Sequence, residues 1–214
     1  MKKAQFVAFG LIIILLIFVI FLLNDKSQNK LDSSIETSQS SQSDNQTSSM
    51  YANMTGDQFD KAYLTDMIAH HQGALNMASQ ARELATKAEI RSLADAILTS
   101  QATEVQQMMD WQQEWNYSAT DSSNPHAGHM MESSGSMGDD MADMEAELNG
   151  LSGEAYDKEF LKQMILHHQQ AIDMSKYADA NAKHQEVKDL AKAIITAQDK
   201  EIADMKSWQQ KWGY

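Results

Sequence analysis

Two stretches of this chain read as copies of one another. Met67-Ile68-Ala69-His70-His71-Gln72-Gly73-Ala74-Leu75-Asn76-Met77 returns as Met164-Ile165-Leu166-His167-His168-Gln169-Gln170-Ala171-Ile172-Asp173-Met174. The offset of 97 residues that carries His70 to His167 also carries Trp111 to Trp208. It holds without a gap from Asp60/Asp157 to Tyr117/Tyr214, with about 26 of 58 positions identical, a density that marks an internal repeat. Whatever the first copy folds into, the second must also fold into, and a face that one copy cannot bury alone can be buried against its twin.

Each copy reads as a helical hairpin. Phe59, Tyr63, Met67, Ile68, His70, His71, Ala74, Met77, Ala78 and Ala81 follow helical spacing. Thr55-Gly56-Asp57-Gln58 has the residues of a capping box and predicts the start of the first helix. A break near Thr86–Ala88 separates it from a second helix with Ile90, Leu93, Ala94, Ile97, Val105, Met108, Trp111 and Trp115 on its apolar face. After a polar loop from Asn116 to about Asp140, a short helix is expected at Met141–Leu148. Ser152 is expected to cap a third helix running to about Ala182, and a fourth runs from about Gln185 to Trp212. No segment alternates like a strand. The predicted fold class is all-α: an antiparallel four-helix bundle of two repeated hairpins, preceded by an N-terminal transmembrane helix. An up-down order would set the first and third helices parallel across the diagonal, with their His-His pairs at similar height.

The N-terminal expectation rests on Ala4 to Leu23, an apolar run broken only by Gln5 and Gly10, about the length of a bilayer-spanning helix. Lys2 and Lys3 precede it, which predicts a cytoplasmic N-terminus and an external remainder. A cleaved signal sequence is the rival reading, although no Ala-x-Ala site follows Leu23. The expected organisation is a membrane anchor (or signal sequence) over 1–23, a disordered polar tether over 24–52, and a bundle domain over 53–214 with a His/Met-rich loop at 116–150. The tether is rich in Ser, Gln, Asn and Asp, too polar to offset its ordering entropy. The chain has no cysteine, which removes disulfides, thiolate ligands, cysteine nucleophiles and a lipoprotein anchor. Its net charge is −13, so nucleic acid is not an expected partner.

The repeat preserves ligand types as well as apolar positions. Met67, His70, His71 and Met77, and again Met164, His167, His168 and Met174, fall near one helix face, with Ala74 and Ala171 leaving room. Met108 and Met205 add a repeated thioether to each hairpin. Imidazole suits Zn, Cu, Fe and Ni, whereas thioether selects Cu(I) and similarly soft ions such as Ag(I). His with Met and without Cys therefore points to copper, with no organic cofactor. A di-iron bundle would need Glu-x-x-His, which is absent, and neither His-His pair has a Glu within a turn. The packing alternative is that these are core histidines and gap-filling methionines. Against it, the four histidines persist where neighbours such as Arg82/Asp179 diverge. Gln72 and Gln169 persist too and are candidate hydrogen-bond partners for the histidines.

The loop gives a separate signal. His126, His129, Met130 and Met131 are followed by Met137, Met141 and Met144, with no obvious core to bury those thioethers. Trp111/Trp115 and Trp208/Trp212 stack at i, i+4 and are expected to plug one end of the core. No catalytic set is visible.

The doubled His-His-Gln-x-Ala-x-x-Met helix with its Trp-rich hairpin end resembles the domain of unknown function 305 family, over about residues 54–117 and 153–214. The resemblance implies a ferritin-like four-helix bundle outside the cytoplasm that binds Cu(I) or Cu(II), and in some members Ag(I), through Met and His. Carried over by position, the implied ligands are Met67, His70, His71, Met77, Met164, His167, His168 and Met174. The expected function is metal sequestration, transfer or tolerance by a membrane-tethered extracytoplasmic copper protein that is not an enzyme. The alternative is a bundle presented to a protein partner without metal.

Overall fold

The computed structural model describes residues 50–117 and 137–214. The apolar run at 4–23 and nearly all of the predicted tether lie outside the described residues. Among the described residues no helix is long and apolar enough to cross a membrane, and no strand forms beyond an isolated bridge between Gly56 and Ala182.

Six helices follow in order among the described residues: α1 Asp57–Leu84, α2 Ala88–Glu114, α3 Met137–Ala146, α4 Gly153–Ser175, α5 Ala178–Asn181 and α6 Gln185–Trp212. The long ones, α1, α2, α4 and α6, form the bundle, with α1 against α2, α4 against α6, and α1 against α4. The capping box is not used. Gly56, not Thr55, is the N-cap of α1, at φ 63° and ψ −138°, with no side-chain cap. That left-handed backbone favours glycine, and it lets the Gly56 N–H donate to Asn181 O at 2.8 Å, where the second hairpin turns. Ser152 does precede α4, but its hydroxyl makes no cap bond. The predicted third helix is also interrupted. α4 ends at Ser175, and the chain passes through Lys176 and Tyr177 into α5. There the Tyr177 ring stacks on Tyr51, with centroids 6.5 Å apart. In the first copy Gln80 holds that position, and α1 runs unbroken.

Contacts between α1 and α4 step in opposite directions along the two helices. Gly56 meets Asn181, the Tyr63 hydroxyl lies 2.9 Å from Ser175 Oγ, and His167 reaches His70 O. Thr86, just past the end of α1, bonds Asp157 near the start of α4. The first and third long helices are therefore antiparallel neighbours, not the parallel diagonal pair expected from an up-down order. α1 and α6 start at one end of the bundle, α2 and α4 at the other. The connection between hairpins must cover the whole bundle length, about 40 Å for a helix of this size. A long middle connection is the mark of a crossover topology.

Part of that crossover is α3, which lies along α1. The expectation that the loop methionines have no core to enter is not met for Met141 and Met144. Both are buried in the same apolar cluster as Ala74 and Met77 of α1, and Asn76 Nδ2 donates to Glu145 at 2.8 Å. The polar tether also stops short of residue 52. Tyr51 is fully buried, and its hydroxyl donates to Asp66 at 2.5 Å.

Each hairpin caps the other. Buried Asp60 accepts from the backbone N–H groups of Lys183 (3.0 Å) and His184 (3.1 Å) and from His184 Nδ1 (2.6 Å). Its counterpart Asp157 accepts from the Thr86 N–H (2.9 Å) and hydroxyl. These carboxylates hold the turn residues that lead into α6 and α2. The tryptophans close opposite ends of the bundle rather than one. Trp115 stacks on His184 at 3.7 Å, whereas Trp212 lies under the Lys87 ammonium at 5.1 Å. The difference in partner follows from the repeat, where Lys87 and His184 are counterparts.

Candidate metal centre

The apolar core falls into two clusters, one towards each end of the bundle. Between them lies a layer of buried polar side chains: His70, His71, Gln101, His167, His168 and Gln198. All four histidines are fully buried. Because α1 and α4 are antiparallel and each carries its motif near mid-length, the pairs meet at the pseudo-two-fold centre. His70 and His167 face each other, with ring centroids 3.7 Å apart. His71 and His168 lie to either side, 6.3 Å and 6.1 Å from their chain neighbours.

The second helix of each hairpin supplies what a reading along the chain missed. His71 Nε2 bonds Glu104 Oε2 at 2.7 Å, and His168 Nε2 bonds Glu201 Oε2 at 2.6 Å. Glu104 and Glu201 are themselves separated by the repeat offset, as are Gln101 and Gln198, and that shared offset was the available signal. Gln72 and Gln169 are not the partners. They sit on the exposed face and bond Asn76 and Asp173. A carboxylate can only accept, so each histidine donates to its glutamate from Nε2, and the neutral tautomer that this bond selects carries its lone pair on Nδ1. His167 Nε2–H donates to the His70 carbonyl at 2.9 Å, with the same consequence. The Nδ1 atoms of His71, His167 and His168 are buried with no hydrogen-bond partner, as are both ring nitrogens of His70. Burial holds His70 well below its ordinary pKa, with His71 and His168 acting in the same direction. Burial, then His70 and His168, do the same to His167. Both rings are thus neutral near pH 7, the form that binds metal.

An unsatisfied buried polar atom costs roughly 1–3 kcal/mol, and this layer holds several. The donor set, four buried imidazoles of which two are held by carboxylates, fits a transition metal. It does not form a ready multidentate cluster: among the described residues no group of three or more His, Asp or Glu side chains is arranged to hold an ion.

The six repeated thioethers lie on both sides of this layer and are buried. Met67, Met108 and Met174 belong to the cluster at the end where α1 starts. Met77, Met164 and Met205 belong to the cluster at the end where α4 starts. The eight helical residues expected as ligands thus gather into one central histidine layer and two flanking methionine groups, not one shared site. His126, His129, Met130 and Met131 lie outside the described residues.

Comparison with known proteins agrees with the repeat. The family model described as Domain of unknown function (DUF305) matches residues 23–111 and 60–209. No curated protein matches. Among solved structures, CopM in its Cu(I)-bound form is 29% identical, with a TM-score of 0.57, covering 72% of this chain and 96% of that one. CopM has also been solved in Cu(II)-bound, Ag-bound and apo forms. A DUF305 protein from Streptomyces coelicolor is 26% identical, with a TM-score of 0.60, covering 72% of this chain and 93% of its own. A DUF305 fragment from Deinococcus radiodurans is 28% identical, with a TM-score of 0.56, covering 74% and 99%. The doubled histidine helix, the all-helical bundle and a family match over most of the chain agree: this protein belongs to the domain of unknown function 305 family.

Proposed function

We propose that this chain binds copper, as Cu(I) or Cu(II) and also as Ag(I), to sequester it or pass it on rather than to catalyse a reaction. The observation that carries this reading is the buried layer of four imidazoles, each with a ring nitrogen that lacks a hydrogen-bond partner, two of them oriented by Glu104 and Glu201. The flanking thioethers bias the choice towards copper and silver over zinc. Similarity to CopM, solved with copper and silver bound, supports the same assignment. The fold is best described as a ferritin-like four-helix bundle with one long crossover. We place it outside the cytoplasm, anchored through residues 4–23, because that apolar run follows Lys2 and Lys3.

The carboxylates beside the histidines are an ingredient that a metal-dependent oxidase would require. Here each is bound to the Nε2 edge of a histidine, where it orients a ring. A second reading is that the layer is purely structural and the bundle serves a protein partner. It draws on the complete burial of the four rings.

Titration of the full chain with Cu(I) in competition with a chelator separates the two. Tight binding that raises the melting temperature, and that weakens when His70→Ala is combined with His167→Ala, is the expected result. A melting temperature indifferent to copper, with identical chelator competition for wild type and double variant, would remove the metal reading.

A further inference from the structure

The two halves of the layer are not equivalent, and the break is at Gly73. Its counterpart is Gln170, whose side-chain amide is turned towards His70. At Gly73 the missing side chain is replaced from outside the repeat. A Cβ there would lie 2.9 Å from Met141 Sδ, 3.0 Å from its Cγ and 3.1 Å from its Cβ. The glycine is a notch, and α3 seats a thioether in it.

The register shows what else stands at that level. His168 and Glu201 face each other across antiparallel α4 and α6. One turn back from His168 is Met164, and one turn on from Glu201 is Met205, so the two thioethers share a level. On α1, Gly73 is one turn beyond His70, whose carbonyl holds His167, and this is the same level. Met141, Met164 and Met205 are all buried in one cluster, with Met77 and Met144. The opposite end has the repeated counterparts Met67 and Met108 but Gln170 in place of the notch. There the Tyr51 hydroxyl, whose proton goes to Asp66, also lies 3.7 Å from the Met174 thioether. Leu148, the counterpart of Tyr51, has no hydroxyl to engage Met77 in the same way.

We propose that Met141 completes a thioether site with Met164 and Met205 beside His167 and His168, that this site takes a soft monovalent ion, Cu(I) or Ag(I), and that the repeat-related end does not form an equivalent one. The inference rests on the copper reading above and assigns the soft ion to one end. Gly73 is then a specificity device, because a side chain in its place would force the Met141 thioether out of its present seat.

The test uses the full chain labelled with 13C at the methionine methyl groups and titrated with Ag(I). The first equivalent is expected to shift the Met141, Met164 and Met205 methyl signals and to leave Met67 and Met108 in place. Met141→Leu keeps the apolar volume and is expected to weaken Ag(I) binding by about tenfold or more, the scale on which even outer partners of a metal site act. Met67→Leu is expected to leave that binding unchanged. Circular dichroism checks that both variants fold. Equal shifts at Met67 and Met141, movement of other methionines with these three still, or unchanged affinity in Met141→Leu would each overturn the asymmetric site while leaving copper binding intact. Failure of Ag(I) and Cu(I) to bind anywhere on the chain would overturn the parent reading with it.

Discussion

The end of the bundle where α1 starts and the end where α4 starts derive from one hairpin, yet they are finished differently. At the first, the Tyr63 hydroxyl lies 2.9 Å from Ser175 Oγ and Tyr51 covers Met174. At the second, Phe160, Ala78 and Leu148 occupy the corresponding positions, and Met141 and Met144 of α3 supply the cover. The middle has not drifted in this way. His70 packs on its own counterpart His167, so neither ring can change without meeting the other unchanged. Side chains at the ends face whatever segment happens to precede their hairpin, and those segments are unrelated. The repeat therefore constrains most where it meets itself.

The largest effect should come from the reciprocal caps, which test how equal the hairpin turns are. Asp60 serves three donors on Lys183 and His184, whereas Asp157 serves two on Thr86. Removing a buried acceptor strands its donors. Asp60→Ala is expected to lower unfolding free energy by about 3–5 kcal/mol and Asp157→Ala by about 2–3 kcal/mol, measured by urea denaturation. Equal losses would mean that the His184 side chain adds nothing to the first cap.

The next effect concerns the layer itself in metal-free protein. His70 and His167 have pKa values pushed down by burial, so the unfolded chain binds protons that the folded chain refuses. Stability is then fully present above the unfolded histidine value, near 6.5, and is lost as pH falls below it. The pair should contribute a slope of up to about 2.7 kcal/mol per pH unit below that point. His70→Gln and His167→Gln should each remove about half of it. Urea midpoints between pH 7 and 5 that keep the wild-type slope in both variants would refute this account and place the proton uptake elsewhere.

The long helices and the position of the histidines on them were legible because a period of 3.6 is written into Phe59, Tyr63, Met67, His70 and Met77. The Glu104 and Glu201 partners were not found by searching near the histidines, since they are 33 residues away along the chain. They share the offset of 97, and the second helix of each hairpin brings them round. Helix direction is illegible in the sequence for a related reason. Short, long and short connections fit either order of directions, but only a crossover needs the middle one to be long. The capping box failed because Gly56 adopts a backbone that no pattern of cap side chains encodes, set by its bond to Asn181. Met141 could not be assigned to the core from sequence, because its seat is the space above Gly73, on a different helix.

The smallest effect should lie in the Tyr63–Ser175 contact, where one end can be rebuilt as the other. Tyr63→Phe and Ser175→Ala reproduce the Phe160 and Ala78 found across the pseudo-two-fold. Both residues are buried, so either change alone leaves a hydroxyl without its partner and should cost about 1 kcal/mol. The double variant removes donor and acceptor together and leaves an apolar pair like the one that already exists at the other end. A double-mutant cycle in urea should therefore show coupling of about 2 kcal/mol, with the double variant close to wild type. Additive losses would mean that the hydroxyls act independently. The first end would then depend on its polar contact in a way that the second does not, and the two ends would differ in how they hold together as well as in what covers them.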